Sequence, residues 1–256
     1  MSTLILQSHT NPLPYDWLKV CMHSVQAWSA DNNFKYRFWD DSIFDLVPQS
    51  ILGRFGSRKV ILSDLARLKA IRSLICEGHD RVVWLDADML VFRPEQFKLP
   101  ATSELPERYM LGREVWVQPR VDNPQKLQAY KKVHNAFLLF DRHNSFLDFY
   151  IEQAERMLLG AELMVPDQFI GPKLLTALHN IIQCPVMETA GMLSPEVIRN
   201  LLSGGQSACA LNLLVKRSAA PLMAANLCGS SVASGAITSE QMELVCEILL
   251  RQSVCL

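Results

Sequence analysis

The chain has 256 residues, 49% of them hydrophobic and 20% charged. This is the composition of a globular protein long enough for one large core, and it excludes a disordered or fibrous chain. Lys and Arg number 25 against 26 Asp and Glu, a formal net charge of -1, which excludes nucleic-acid binding through bulk positive charge.

The seven cysteines are scattered, with no C-x-x-C pair. A zinc ribbon, a thioredoxin motif and a disulfide scaffold are therefore not expected, and reduced thiols in a cytoplasmic setting fit better. Residues 1–17 carry neither a basic stretch nor an apolar run, so no leader is expected. The most apolar late stretch, 218–237, is broken by Pro221, Asn226 and Gly229, and no membrane span is expected.

In chain order, Leu4-Ile5-Leu6 reads as a short buried strand. Trp17, Val20, Cys21, Ser24, Val25 and Trp28 then repeat at helical spacing. Asp31-Asn32-Asn33 ends that helix, and Phe34 to Trp39 reads as a strand, which makes a parallel βαβ opening. A second helix is expected over 61–77, with Ser63 as a candidate cap. Val82-Val83-Trp84-Leu85 reads as a fully buried strand, with Met89 to Phe92 as its continuation. Asn135 to Phe140 is expected to be another strand, followed by helices over 145–159 and 173–178. Thr238 and Gln241 form a capping box for a last helix. Segments 98–109, 118–133 and 203–207 carry the weakest signals. The expected class is α/β, with an open, mostly parallel sheet flanked by helices. We expect one domain over 1–256, with a ligand-binding half (1–95) and a second half (96–256). In such sheets ligands bind beyond the carboxyl ends of the strands.

Asp86-Ala87-Asp88 follows the buried strand directly. The bare tripeptide is common by chance; its place is what counts. Like charges at the end of an apolar strand are costly unless something positive binds there. Mg²⁺ or Mn²⁺, which bridges one or two carboxylates to substrate phosphates, is one answer. A solvated turn is the other. On the helix upstream, Asp64 and Arg67 share the face of Leu68, Ile71, Leu74 and Ile75, while Lys69, Ser73 and Glu77 lie opposite. Two charges on an apolar face read either as a local ion pair or as a polar cleft, where Asp64 accepts hydroxyls and Arg67 holds a carboxylate or phosphate.

Ser63-Asp64-Leu65-Ala66-Arg67, then 18 residues, then Asp86-Ala87-Asp88, resembles the DXD sugar-binding region of nucleotide-sugar glycosyltransferases. Val82 to Val91 resembles the glycogenin-type family as well. Asn135-Ala136-Phe137-Leu138-Leu139-Phe140 is similar to the strand that brings an Asn near the donor sugar. Pro166-Asp167-Gln168 and Gly171-Pro172-Lys173-Leu174-Leu175-Thr176 resemble two further elements of these groups. The resemblance spans roughly residues 1–180. It implies a GT-A fold and a retaining transfer from a nucleotide diphosphate sugar, a UDP-sugar with Mn²⁺ (or Mg²⁺), to a hydroxyl acceptor. Asp88 would then ligate the metal, and Asp86 the metal or the ribose. Asp64 and Arg67 would meet the donor sugar, and Asn135 and Asp167 would lie near sugar and acceptor. The first strand, ending at Gln7, would meet the base.

Two departures stand out. Gly78-His79-Asp80 and Trp84 replace the Gly-Gly and Tyr usual before the DXD, and the C-terminal His and Lys-Pro-Trp elements are absent. Asn226 in Asn226-Leu227-Cys228-Gly229-Ser230 is the candidate for a further metal ligand; an ordinary turn is the alternative. Trp39, beside Asp40-Asp41 at a strand end, is a candidate border of the nucleotide pocket, and most of the five tryptophans read as core. No Walker A, G-x-S-x-G or G-x-G-x-x-G appears. The rival readings are a non-catalytic nucleotide-sugar or carbohydrate-binding module and an Asp-x-Asp phosphatase. The acceptor class (glycan, lipid or protein) is open.

Overall fold

The computed structural model describes residues 2–204, 209–251 and 256. The 205–207 part of the weak segment at 203–207 lies outside them. The chain opens with β1 (Thr3–Ser8), α1 (Asp16–Asp31), β2 (Lys35–Trp39), a 3₁₀ turn (Asp41–Leu46), α2 (Gln49–Phe55), α3 (Lys59–Cys76), β3 (Arg81–Leu85) and β4 (Met89–Val91). It continues with β5 (Tyr109–Pro119), β6 (Leu127–Asp141), α4 (Phe146–Gly160), α5 (Pro172–Ile182), β7 (Val186–Met187) and β8 (Ala190–Met192). The last elements are α6 (Pro195–Leu202), α7 (Cys209–Arg217), β9 (Ala224–Asn226), α8 (Ser230–Ala233) and α9 (Ser239–Leu250).

A six-stranded sheet in the order β2-β1-β3-β6-β5-β7 forms the centre. The pairs β1–β2, β1–β3 and β5–β7 are parallel, and β6 runs antiparallel to both its neighbours. The period of two explains the layers. Leu4 and Leu6 of β1, with Val82 and Trp84 of β3, face a core shared with α2, α3 and α4. Ile5, Val83 and Leu85 point the other way, onto Val25 and Trp28 of α1. A third core joins the start of α1 to α6, α7 and α9.

Four sequence expectations need correction. Met89 to Val91 does not continue β3 in its own sheet. The Asp86–Asp88 turn diverts the chain into a second sheet, β4-β9-β8. Ser63 does not cap α3: the helix starts at Lys59, and the Ser63 hydroxyl donates to the Val60 carbonyl inside it. The segments 98–109 and 118–133 are not all irregular, because β5 starts at Tyr109 and β6 at Leu127, and the two form one long hairpin. Charged Arg113, Glu114, Lys131 and Lys132 interrupt the apolar alternation there and hide the strands. Trp116 is not a core residue; it is half-exposed on that hairpin.

The hairpin register shifts between Leu111 and Gly112, so that Asn135–Phe137 of β6 have no partner on β5. A Cβ on Gly112 would lie 2.2 Å from the His134 ring, so the close strand approach requires glycine. The bulge leaves Asn135 beside Asp64. The capping box at Thr238 and Gln241 forms with both its bonds. No helix among the described residues is long and apolar enough to cross a membrane.

Where β3 meets β6, Arg81 and Asp141 sit directly opposite and buried. The guanidinium donates to the carboxylate at 2.5 and 3.0 Å. Asp141→Ala leaves a buried, uncompensated guanidinium and is expected to lower stability by about 3–5 kcal/mol in urea unfolding. Asp122→Ala, which breaks the exposed pair with Arg120, is expected to leave stability nearly unchanged.

Candidate active site

A cavity of about 510 Å³ opens at the carboxyl ends of β1, β2 and β3. Ser8, His9 and Thr10 follow β1, Asp41 and Phe44 follow β2, and Asp86, Ala87 and Asp88 follow β3. The first turns of α1 and α3 add Tyr15, Trp17, Lys59 and Ser63, and the loop at Gly229 and Ser230 closes one side. Neither helix has a side-chain cap, so both leave backbone N–H donors at their starts.

Arg67 organises the floor. Its guanidinium lies 3.2 Å from Asp64 Oδ1 and 3.0 Å from Asp86 Oδ1, and it donates to the Asn135 carbonyl at 2.8 Å. It also lies 5.1 Å from the centre of the Trp84 ring. Burial opposes the charge, yet Asp86 and Asp64 hold its pKa above the ordinary arginine value. Trp84 Nε1 donates to the same Asp86 oxygen at 2.5 Å. Asp86 Oδ2 accepts no hydrogen bond among the described residues. Gln7 Nε2 fixes the Asp86 carbonyl at 3.0 Å, and Tyr36 donates to Gln7 Oε1.

Asp88 is held from the opposite side. Asn226 Nδ2 donates to Oδ1 at 2.5 Å and the Gly229 N–H to Oδ2 at 2.7 Å. Asn226 Oδ1 accepts the Cys228 N–H, which closes a turn with Cys228 at a φ of 55°. Burial, then the neighbouring Asp86, raises the Asp88 pKa to about 6, against the opposing pull of the two hydrogen bonds. Asp64 is also raised to about 6, first by burial. Its Oδ2 has no hydrogen-bond partner among the described residues, and a Cβ on Gly171 would lie 2.2 Å from it.

The sequence-named residues thus fall into three groups. Asp86, Asp88 and Arg67 line the cavity. Gln7, Asp64, Asn135 and Asn226 stand behind it as the partners that hold those three. Asp167 and Trp39 are not part of the lining: Asp167 pairs with Arg58 at 2.6 Å, its charge still felt by Asp64, and Trp39 Nε1 donates to Ser42. Sequence reasoning missed Lys59, Ser63 and Asp41 as lining. Had α3 been read to begin at Lys59, the first two would have been found. His9 and Trp17 also line the cavity, and His9 Nδ1 and Trp17 Nε1 are buried without hydrogen-bond partners among the described residues.

Two half-buried carboxylates side by side, one of them with its pKa raised partly by the other, suit a divalent cation, and all the donors are oxygen. No group of three or more His, Cys, Asp and Glu side chains with metal-binding spacing occurs among the described residues. Asp86 and Asp88 would therefore supply a minority of the ligands, the remainder falling to water or substrate oxygens.

No family model and no curated protein matches the chain. Among solved structures, a glycosyltransferase involved in the glycosylation of the major capsid of PBCV-1 is similar at 14% identity, with a TM-score of 0.47 over 94% of this chain and 98% of that one. Mouse xyloside xylosyltransferase 1 is similar at 11% identity, with a TM-score of 0.45 over 90% and 98%. A 4-diphosphocytidyl-2C-methyl-D-erythritol synthase from Anaerococcus prevotii has 10% identity and a TM-score of 0.34 over 73% and 88%. At such identities and scores these likenesses carry no functional argument, and what the chain does has to be read from its own residues.

Asp64 and Asp88 bind protons more tightly folded than unfolded, so each favours folding below about pH 4 and penalises it progressively as the pH rises through about 6. The shifts correspond to roughly 3 kcal/mol each. Ligand-free protein is expected to lose stability between about pH 4 and 6 relative to Asp88→Asn, which lacks one of the two titrations; urea unfolding across that range measures the difference.

Proposed function

We propose that the chain is a metal-dependent glycosyltransferase that moves a sugar from a nucleotide diphosphate sugar to a hydroxyl acceptor. The observation that carries this reading is the cavity floor: two tethered carboxylates and a buried arginine at the carboxyl ends of parallel strands. The sequence resemblance adds the finer reading of a UDP-sugar donor, Mn²⁺ and retention of configuration.

In this reading Asp86 and Asp88 would hold the cation, whose chemistry when bound would be to offset negative charge on the leaving diphosphate. The chain does the positioning. Asn226 and Gly229 fix one carboxylate and Arg67 and Trp84 the other, so neither has to reorganise as charge develops. Lys59 and the uncapped start of α3 face the cavity as further positive partners for phosphate. Stacked Tyr15 and Trp17, with ring centres 6.1 Å apart, supply an aromatic wall of the kind that takes a base or sugar ring. Asp64, tied to Arg67 and Asn135, holds the guanidinium in place from behind the cavity.

Thermal unfolding with Mn²⁺ and a panel of nucleoside diphosphates tests this reading. A diphosphate at 100 times its dissociation constant adds about 2.7 kcal/mol. UDP with Mn²⁺ is expected to stabilise the wild type, to stabilise Asp88→Asn far less, and to lose its effect below pH 6 as Asp88 takes up a proton. No shift with any diphosphate would remove the reading. Binding without sugar transfer would favour the non-catalytic module.

A further inference from the structure

Glu114 is buried, 7% exposed, on β5. It accepts no hydrogen bond among the described residues, and its nearest cation, Lys132 Nζ, is 3.8 Å away. A carboxylate so enclosed ordinarily has its lone pairs filled. Burial raises its pKa, and Lys132 only partly opposes this.

The hairpin register places its neighbours. Glu114 pairs with Lys132, and Trp116 with Tyr130 one step farther along the same face. Trp116 is half-exposed and Tyr130 is 41% exposed. Neither ring stacks on another aromatic ring among the described residues, and Lys132 Nζ lies 5.6 Å from the centre of the Tyr130 ring. The face therefore presents the half-buried Trp116 ring and the exposed Tyr130 ring, then a lysine, then a recessed carboxylate that takes no hydrogen bond from the described residues. The same strand reaches the active-site floor: three residues beyond Lys132 on β6, the Asn135 carbonyl accepts the Arg67 guanidinium.

We propose that this face of the β5–β6 hairpin is a saccharide subsite for the acceptor, with Glu114 accepting ring hydroxyls and Trp116 and Tyr130 carrying the apolar faces of the sugar. The assignment to an acceptor rests on the transferase reading; the site itself does not. Charge selects the ligand class. Lys132 balances Glu114, so the patch has no net charge and already holds one cation over Tyr130. A neutral, hydroxyl-rich ring with apolar faces satisfies both the carboxylate and the aromatics, and a cationic peptide does not.

The test uses the full chain and saturation-transfer NMR with cellobiose, maltose, lactose and xylobiose. At least one is expected to bind the wild type, and Trp116→Ala and Glu114→Gln are each expected to weaken it at least tenfold. Glu114→Gln keeps the shape of the side chain, and Trp116 is half-exposed. Both are expected to fold and to keep the thermal shift with Mn²⁺ and UDP. Absence of binding by all four sugars, or equal binding to the variants, overturns the subsite. A sugar that binds through Trp116 and Glu114 while Mn²⁺ and UDP do not bind supports the subsite and removes the transferase reading instead.

Discussion

The buried guanidinium of Arg67 is the constraint around which the site is arranged. A charge this enclosed is tolerable only if its donors are matched, and it reaches Asp64, Asp86 and the Asn135 carbonyl at once. Those partners come from α3, the end of β3 and the bulged part of β6. The position of Asp86 is thus tied to the packing of a helix and two strands. Gln7 adds a fourth element by holding the Asp86 backbone from the end of β1.

Asp88 shows the complementary principle. It stands where the chain leaves the large sheet for the small one, and its carbonyl accepts the Leu227 N–H while its carboxylate takes Asn226 and Gly229. The same turn links the two sheets and aims the side chain. The raised pKa of Asp88 is the sign that this tether is incomplete compensation for burial beside a second carboxylate. A positive partner in the cavity would supply what the protein withholds, as expected where a site trades stability for binding.

Much of this was legible in sequence. Val82 to Leu85 is too short and too apolar for anything but a buried strand, so the charges after it had to lie at a sheet edge. The helical spacing of Asp64 and Arg67 placed both on an inward face, and in the structure they are buried there. The hairpin was not legible, because β5 and the first half of β6 carry polar residues on a face that is only partly covered. Nor could the role of Asn226 be read: its spacing from Asp88 in the chain is long, and only the pairing of Met89 with Asn226 in the second sheet brings them together. Gln7 and Asn135 were recognised by resemblance. That they hold Asp86, Asp64 and Arg67 rather than line the cavity follows from contacts between distant segments, which no local pattern encodes.

Diffraction at the manganese absorption edge, from crystals grown with Mn²⁺ and UDP, tests the central claim most directly. The account predicts one anomalous peak in the cavity, within bonding distance of Asp88 and Asp86, bridged to the diphosphate. A diphosphate bound in the cavity with no metal at those two carboxylates, or a metal bound elsewhere, would contradict it.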